Sequence, residues 1–387
     1  MQCRTARKQQ ALKQEIKTEE IGINVVSFFR AAKGLSVAAL SSIKALKVAQ
    51  IPYTIVDCSI ILPHHQLTEQ LPESPHGMGF KYPINLLHLN PPELPHLWKL
   101  FSKPDLSGRY NVGVWYWELP ELPQDWLFAF ELVDEVWAAS QFIMDSISAV
   151  SPVPVIKIPP CVEVTVDRQL KRSDFDLPDD KFLFLCAYDV LSVNARKNPL
   201  GAIISFKRAF TINDPSVGLV LKINNARENP DEMKQLRDEM QDYSNCYFIE
   251  EIFEKPKFNA LINLIDAYIS LHRSEGFGLI PAEAMSLGKP VIMTRWSGNL
   301  DMMTADNSCG VDYKLIPVAE KSGLYLPGQI WAEPDIDHSA FYMQKLYSDE
   351  VYYSHISKHA KIFIHDHFSP EGIGKLIKER IGQIGLL

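Results

Sequence analysis

Residues 272–292 read HRSEGFGLIPAEAMSLGKPVI and place two glycines and two glutamates around the expected start of a short helix. Gly276 and Gly278 precede Pro281, which suits a first helical turn, and Gly288 is placed to end the helix. Backbone N–H groups at such a helix start attract anions through their geometry and the helix dipole. The segment is not a dinucleotide-binding fingerprint, because Pro281 stands where GxGxxG requires its third glycine.

The two glutamates, Glu275 and Glu283, are unexpected beside a loop that receives anions. A carboxylate repels a phosphate, but it accepts charge-assisted hydrogen bonds from the neutral hydroxyls of a sugar or a ribose. The simpler interpretation leaves Glu275 in solvent and lets Glu283, expected in the first helical turn, complement the helix dipole. These two residues alone do not separate the interpretations.

Length and composition describe a globular protein large enough for two domains. The chain has 387 residues, and domains usually contain about 100 to 200 residues. Apolar residues make up 46% and charged residues 22%, as in folded soluble proteins. The net charge of −8 argues against a broad nucleic-acid-binding face, so an anionic ligand must meet a local basic cluster.

Cysteine usage, the polar start of the sequence and the lack of long apolar runs favour a cytoplasmic location. Six cysteines occur without a CxxC pair, which is typical of reduced thiols and not of disulfides or a zinc site. Residues 1–20 form a polar leader without the apolar core of a signal peptide, and no run approaches the roughly 18 apolar residues of a transmembrane helix. The basic apolar tail, residues 366–387, favours packing onto the first domain, with peripheral contact at the inner face of a membrane as the alternative.

The first half of the sequence predicts alternating strands and helices. Its strand-like runs are INVVSFF, YTIVDCS, INLLHLN, NVGVWYW, DEVWAAS and VPVIKIP, and a helical period in VAALSSIKALKVA separates the first two. This alternation indicates βαβ units and a parallel sheet. Four prolines within residues 150–164 mark the exit from the domain.

A second alternation follows, with strands FLFLCAY, VGLVLKI and CYFIEEI, and with AYISLH and PVIMT expected to complete the strands. We therefore predict an α/β protein with two Rossmann-like domains, residues 1–162 and 163–365, and a ligand-binding cleft between them. Residues 366–387 are expected to form a closing helix with Ser369 as N-cap and Pro370 at its first position.

The segment EGFGLIPAE, with seven residues between Glu275 and Glu283, resembles the signature of the family 4 retaining glycosyltransferases, and AMSLGKPVI continues the likeness. Further similar segments are RKNPLGAIISFKRAF, WSGNLDMM and WAEPD, and more weakly KGLSVAAL and VWYWELPELPQDW. The resemblance implies the GT-B fold, in which two Rossmann-like domains face each other across a cleft and a C-terminal helix packs back onto the first domain. It also implies that the first domain faces the acceptor and the second binds a nucleotide sugar.

The resemblance implies a role for each side chain of the glycine loop. Glu275 is expected to be catalytic and to contact the hydroxyls of the donor sugar, and Glu283 to contact the ribose hydroxyls. The rest of the expected donor-binding loop consists of Gly276, Phe277, Gly278 and Leu279. The carboxylates then face neutral alcohols while the amides face phosphate.

A departing nucleoside diphosphate develops negative charge, so a metal-free site needs fixed cations. NARKNP offers Arg196 and Lys197, and Lys197 matches the phosphate-binding lysine of the family. The family's arginine more commonly ends the preceding strand, where this chain has Tyr188 and Asp189, so its catalytic role passes to Arg196. Lys222, at the end of VGLVLKI, is a further donor-binding candidate, and solvated loop cations are the alternative for all three.

The predicted first domain supplies less specific candidates. Gly34 in KGLS matches the glycine loop that approaches the donor phosphates, although Ser36 replaces the second glycine and a simple turn is the alternative. Family members often carry a first-domain histidine near the reacting carbon. The corresponding VWYWE offers Trp117 and Glu118 as acceptor-side residues, together with Asn90 from another strand end, so no catalytic histidine is transferred.

Two other histidines stand near the predicted site. His272 directly precedes the glycine loop and is a donor-binding candidate. His88, at a strand end without an evident partner, is expected to be structural, with a place in the acceptor pocket as the alternative. Residues 63–80 are predicted to form an acceptor-side loop. Its histidines lack the spacing of metal ligands, and we expect neither a metal nor a cofactor.

The resemblance thus implies a retaining, metal-independent hexosyltransferase of polysaccharide biosynthesis. The expected donor is UDP-glucose, with GDP-mannose second, and the expected acceptor is a saccharide or a lipid-linked saccharide. An NAD-dependent oxidoreductase would require GxGxxG followed by a later acidic residue, and neither glycine loop of this sequence shows that pattern. A nucleotide-sugar epimerase, which needs no acceptor, and a non-catalytic nucleotide-sugar-binding protein are the alternatives.

Overall fold

A computed structural model describes residues 21–31, 34–61 and 71–384 of the chain. The chain divides into two compact units: the described residues up to Cys161 together with those from Phe368 onward, and Val162–His367. The predicted polar leader and residues 63–70 of the predicted acceptor-side loop lie outside the described residues.

The first unit contains a parallel six-stranded sheet in the order β2-β1-β3-β4-β5-β6. Its strands are β1 (Ile23–Ser27), β2 (Tyr53–Asp57), β3 (Ile84–Leu87), β4 (Tyr110–Trp115), β5 (Glu135–Ala138) and β6 (Val155–Lys157). Every residue of β1, β3, β4 and β5 is buried, which explains why these strands read as nearly continuous apolar runs.

The second unit contains another parallel sheet, in the order β12-β11-β10-β7-β8-β9, and a separate antiparallel hairpin of β13 and β14. Its strands are β7 (Phe182–Asp189), β8 (Val217–Asn224), β9 (Cys246–Ile249), β10 (Ala267–Ser270), β11 (Val291–Thr294), β12 (Cys309–Val311), β13 (Tyr313–Pro317) and β14 (Ile330–Pro334). AYISLH and PVIMT are confirmed as strands. The expectation that they complete the strands was wrong, because β12 extends the sheet and the hairpin follows it.

Helices connect the strands of both units. They are α1 (Gly34–Val48), α2 (Leu94–Leu100), α3 (Lys103–Leu106), α4 (Gln141–Ser148), α5 (Asn194–Lys197), α6 (Pro199–Ala209), α7 (Pro230–Glu239), α8 (Lys255–Leu264), α9 (Leu279–Ser286), α10 (Ile336–Ser348), α11 (Glu350–Phe368) and α12 (Pro370–Ile384). Short 3-10 turns occupy Ser59–Ile61, Pro91–Glu93, Gln124–Glu131, Arg172–Phe175, Ala226–Glu228 and Gly298–Met302. Among the described residues, no helix is long and apolar enough to cross a membrane.

The final helix, α12, packs onto the first unit, as predicted. Its isoleucines join the core formed by β1 to β4 and α1. Gly374 permits close approach, since a Cβ there would lie 2.6 Å from the carbonyl oxygen of Ala45. The helix begins at Pro370, and the Ser369 hydroxyl accepts a hydrogen bond from the amide of Gly372 (3.4 Å).

The strand order of the second unit places the predicted donor-binding residues together. The order reverses between the neighbouring strands β10 and β7, and ligands of such sheets bind beyond the carboxyl ends of the strands at this point. Arg196 and Lys197 follow β7, and Glu275 follows β10. The topology therefore brings two cations and a carboxylate to one edge of the sheet.

Candidate active site

The glycine loop enters helix α9 through a left-handed residue. Gly278 has φ 90° and ψ 60°, a conformation that side-chain-bearing residues rarely adopt, and the helix begins at Leu279. The helix ends at Ser286, and Gly288 at φ 74° turns the chain away. Glu283 is the fifth helical residue, so its predicted place in the first turn was wrong.

The segment after β11 holds the glycine loop from one side. The amide of Glu275 donates to the hydroxyl of Ser297 (2.8 Å), and the amide of Gly298 donates to the carbonyl of Glu275 (2.9 Å). Ser297 has φ 77° and ψ −150°, a region normally restricted to glycine. The backbone of this buried serine is strained where its hydroxyl fixes the backbone of Glu275.

The carboxylate of Glu275 lies between two cations. One oxygen accepts a hydrogen bond from Lys197 Nζ, and the other lies 3.4 Å from a guanidinium nitrogen of Arg196. Only 13% of the Glu275 side chain is exposed. Burial alone would raise the pKa of this carboxyl, but the charges of Lys197 and Arg196 lower it to about 2. Glu275 is therefore ionised at neutral pH and acts only as a hydrogen-bond acceptor.

The two cations belong to the short helix α5, which ends at a left-handed asparagine. Asn198 has φ 51° and ψ 53°, and its side-chain oxygen accepts a hydrogen bond from the amide of Gly201 at the start of α6. Its side-chain nitrogen donates to the carbonyl of Leu271 (2.9 Å), just ahead of the glycine loop. Arg196 donates to the carbonyl of Ser274 (2.9 Å). These bonds join the end of α5 to the loop that carries Glu275.

His272 is fully buried beneath the loop, and both of its ring nitrogens have partners in the protein. Asn299 donates from its side-chain nitrogen to the carbonyl of Thr294 (2.8 Å), so its oxygen accepts from His272 Nε2 (2.9 Å). His272 Nδ1 then accepts from the hydroxyl of Ser270 (3.0 Å). Burial lowers the pKa of the imidazole, which holds it neutral. This arrangement supports the loop, and a donor contact by His272 stays a prediction.

Glu283 is buried and paired with Lys255, the first residue of α8. Lys255 Nζ lies 2.6 Å from the carboxylate, and its own side chain is nearly half exposed. Sequence reasoning missed Lys255, because its contact joins two helices separated by a strand. The Glu283 carboxylate is therefore neutralised by a cation from another helix that is partly exposed to solvent.

Lys222 lies near the carboxyl end of β8 and is almost fully buried. Its ammonium group donates to the side chain of Asn224 (2.5 Å) and lies 4.9 Å above the ring of Phe253. Burial lowers the pKa of Lys222 to about 8. Lys222 is therefore not a solvated loop cation, which was the alternative to a role in donor binding.

The structure distributes the first-unit candidates over separate strand ends. Gly34 is the first residue of α1, and no described atom lies within 4 Å of the position of a Cβ there, so packing alone does not require glycine. Asn90 accepts from the amide of Tyr116 (2.8 Å). Trp117 is buried against Trp126, at 5.1 Å between ring centroids.

Of the remaining first-unit residues, Glu118 is partly exposed. Ser36 is buried, and its hydroxyl lies within hydrogen-bond distance of the carbonyl oxygens of Phe28 (2.6 Å) and Ala31 (2.8 Å). Its hydroxyl ties α1 to the residues that follow β1, so the serine serves the local fold. Acceptor contacts by Asn90, Trp117 and Glu118 stay predictions.

Tyr188 and Asp189, at the end of β7, bind other parts of the second unit. The Tyr188 hydroxyl donates to the carboxylate of Glu232 (2.5 Å), and Asp189 accepts from the side chain of Asn225 (2.9 Å). The cations beside Glu275, Arg196 and Lys197, belong to α5 instead. Among the described residues, no group of three or more histidine, cysteine, aspartate or glutamate side chains could hold a metal ion.

Comparison with known proteins agrees with this architecture. Residues 208–363 match the model of a family described as glycosyl transferases group 1, which is less than half of the chain. A search of the curated proteins finds no match.

Several solved structures are similar over nearly the whole chain. HepE of Anabaena, in complex with UDP and glucose, is 14% identical with a TM-score of 0.64, covering 94% of this chain and 100% of its own. Sucrose-phosphate synthase of Thermosynechococcus elongatus is 15% identical with a TM-score of 0.68, covering 94% and 99%. A glycosyltransferase of Rickettsia africae is 12% identical with a TM-score of 0.65, covering 95% and 99%.

At these identities the structural likeness shows the fold alone. That fold is GT-B, so the predicted fold class is confirmed. The group 1 match supports a glycosyltransferase and lies within the unit that carries Glu275, Lys197 and Arg196.

Proposed function

We propose that the protein is a retaining glycosyltransferase of family 4, which transfers a hexose from a nucleoside-diphosphate sugar without a metal ion. The observation that carries the proposal is the Glu275 carboxylate, held ionised between Lys197 and Arg196 beside the start of α9. The side chains of Lys197, Arg196 and Glu275 together carry a net charge of +1. The site therefore suits a ligand with both an anionic group and neutral hydroxyls.

In the proposed reaction, the bond between the sugar's anomeric carbon and the diphosphate breaks while an acceptor oxygen bonds to the same face of that carbon. The acceptor proton passes to a phosphate oxygen of the leaving group, so no protein base is needed. Lys197 and Arg196 offset the charge that develops on the diphosphate, assisted by backbone amides at the start of α9. Glu275 accepts hydrogen bonds from the hexose hydroxyls and orients it.

UDP-glucose is the proposed donor, with GDP-mannose second. HepE, a structure similar to this chain, has been solved with UDP-glucose, which supports the first choice. Glu283 is proposed to bind the ribose hydroxyls, and Gly34 and Lys222 to lie near the phosphates. The proposed acceptor is a saccharide or lipid-linked saccharide of polysaccharide biosynthesis, used in the cytoplasm or at the inner face of the membrane.

A thermal-shift panel of UDP, UDP-glucose, GDP and GDP-mannose tests donor binding. A ligand at 100 times its dissociation constant should stabilise the protein by about 2.7 kcal/mol. Incubation with the stabilising donor should then release nucleoside diphosphate slowly without an acceptor and faster with one. Conversion of the donor to an isomer would indicate an epimerase, and binding without turnover would indicate a non-catalytic binder. No shift with any nucleotide would contradict the proposal.

A further inference from the structure

Helix α5 carries both cations of the site but contains only four residues, Asn194–Lys197. A single helical turn has little stability of its own, so its orientation must come from tertiary contacts. One side chain, that of Arg273, makes several of these contacts at once.

Arg273 joins α5 to the β13–β14 hairpin. Its guanidinium forms a two-pronged pair with Glu333 of β14, at 2.6 and 3.0 Å, and a third nitrogen donates to the carbonyl of Ala195 in α5 (2.5 Å). Its backbone repeats the connection: its amide donates to the carbonyl of Arg196 (2.7 Å), and its carbonyl accepts from the amide of Ala332 (2.9 Å). Arg273 therefore links the hairpin to α5 through five hydrogen bonds to four residues.

Aromatic and aliphatic contacts reinforce the same connection. The guanidinium of Arg196 lies 6.0 Å from the ring centre of Tyr325, in the hairpin's connecting segment, and Arg273 lies 5.8 Å from the ring centre of Trp331. The tip of the hairpin approaches Val193 so closely that a Cβ on Gly323 would lie 2.8 Å from its methyl group. The hairpin thus packs against the residue before α5 and against a cation within it.

We propose that Arg273 and Glu333 are positioning residues for this site and that the β13–β14 hairpin is a brace. The inference rests on the proposed function, in which Lys197 and Arg196 stabilise the departing diphosphate. A fork of planar hydrogen bonds fixes the direction of Arg273, and Arg273 fixes the carbonyls of α5. Breaking the fork would leave both cations present but misplaced relative to the leaving oxygen.

Misplacement should act on turnover more than on donor binding. Two flexible cations still attract a diphosphate, but they stabilise its developing charge poorly unless they are preorganised. A displacement of about 1 Å can lower a rate about 100-fold. We therefore expect kcat to fall about 10- to 100-fold in Glu333→Gln and in Arg273→Lys, with the KM for the donor changed less than about threefold.

The second of these variants separates positioning from charge. Arg273→Lys keeps a cation beside Glu333 but lacks the planar fork that reaches Glu333 and Ala195 together. The side chains of Arg273 and Glu333 are 20% and 36% exposed, so neither substitution empties the core.

A matched pair at the opposite edge of the same sheet provides the control. Arg172 lies 2.8 Å from Asp266, which precedes β10, and their side chains are 12% and 28% exposed. Arg172→Lys and Asp266→Asn should shift the unfolding temperature at least as much as the test variants do. They should leave kcat within about twofold of wild type.

Amide hydrogen exchange across residues 194–198 and 272–278 provides a readout that does not require turnover. Exchange there should be faster in Glu333→Gln and Arg273→Lys than in either control. Unchanged exchange in both test variants, or kcat values equal to those of the controls, would overturn the inference. A wild type that binds no nucleotide would contradict the proposed function instead, and the exchange measurement would still decide whether the brace exists.

Discussion

Acidification should destabilise the first unit through His88. This imidazole, just after β3, is 1% exposed, and neither ring nitrogen has a hydrogen-bond partner among the described residues. Burial lowers its pKa from 6.5 to about 3. Below pH 6.5 the histidine is protonated in the unfolded chain, whereas in the folded unit it stays neutral down to about pH 3. The free energy of unfolding therefore decreases as the pH falls from 6.5 to about 3.

The size of the loss follows from the two pKa values. At pH 4.5 an unfolded histidine is almost fully protonated, two pH units below its pKa, whereas His88 in the folded unit is almost fully neutral. At about 1.36 kcal/mol per unit, the difference destabilises the unit by about 2.7 kcal/mol relative to neutral pH. Substitution of His88 by leucine, which is buried and does not titrate, should remove this part of the pH dependence.

Hydrogen exchange by pulse labelling in urea, measured on peptides covering β1 and β3, reports unfolding of the first unit separately from the second. Between pH 7 and pH 4.5, the free energy of unfolding of the first unit should fall by about 2.7 kcal/mol more in wild type than in His88→Leu. His365→Gln, at a largely exposed position, is the control and should follow wild type. Parallel losses in wild type and His88→Leu would refute the reasoning.

Three further predictions concern the site and the final helix. Glu275→Gln and Lys197→Met should each lower donor turnover, measured by nucleotide release, at least about 100-fold. Circular dichroism should show that both variants are folded, and near-wild-type rates would show that the residue does not belong to the site. Lys222 has a pKa of about 8, so it loses its charge as the pH rises from 7 to 9; UDP affinity measured by calorimetry should fall across that range in wild type and stay level in Lys222→Met. Arg380 contacts the buried Glu135 at 2.6 Å, so Arg380→Met leaves this carboxylate without its cation. The free energy of unfolding, measured with a chemical denaturant, should fall by about 3 to 5 kcal/mol, and adding Glu135→Gln should restore part of it.

The fold could be predicted because its signals are local. Apolar runs identified β10 and β11, and Ser369 and Pro370 identified the start of α12. The glycine loop was also recognisable, since Gly278 requires a conformation that glycine adopts without cost. Each of these features is decided by residues close together in the sequence.

The surroundings of the site were less predictable, because they depend on contacts between distant segments. Nothing near Glu283 indicated its pairing with Lys255, and nothing near Glu275 indicated that the strained Ser297 would hold its amide. The β13–β14 hairpin was missed, because YKLIP and IWAEP lack the regular alternation of apolar and polar residues that marks a half-buried strand. The pairing of Arg273 with Glu333 depends on this hairpin and was missed with it.

The return of α12 to the first unit also has a consequence for protein synthesis. Ile373, Ile377, Ile381 and Ile384 complete a core whose other members precede residue 162, so more than two hundred residues of the second unit are translated before that core can close. During that interval the nascent first unit exposes an apolar surface that α12 later covers, and such surfaces recruit chaperones or aggregate. A premature stop codon ahead of Pro370 would therefore impair the earliest-made half of the protein, even though every residue of its sheet had been synthesised.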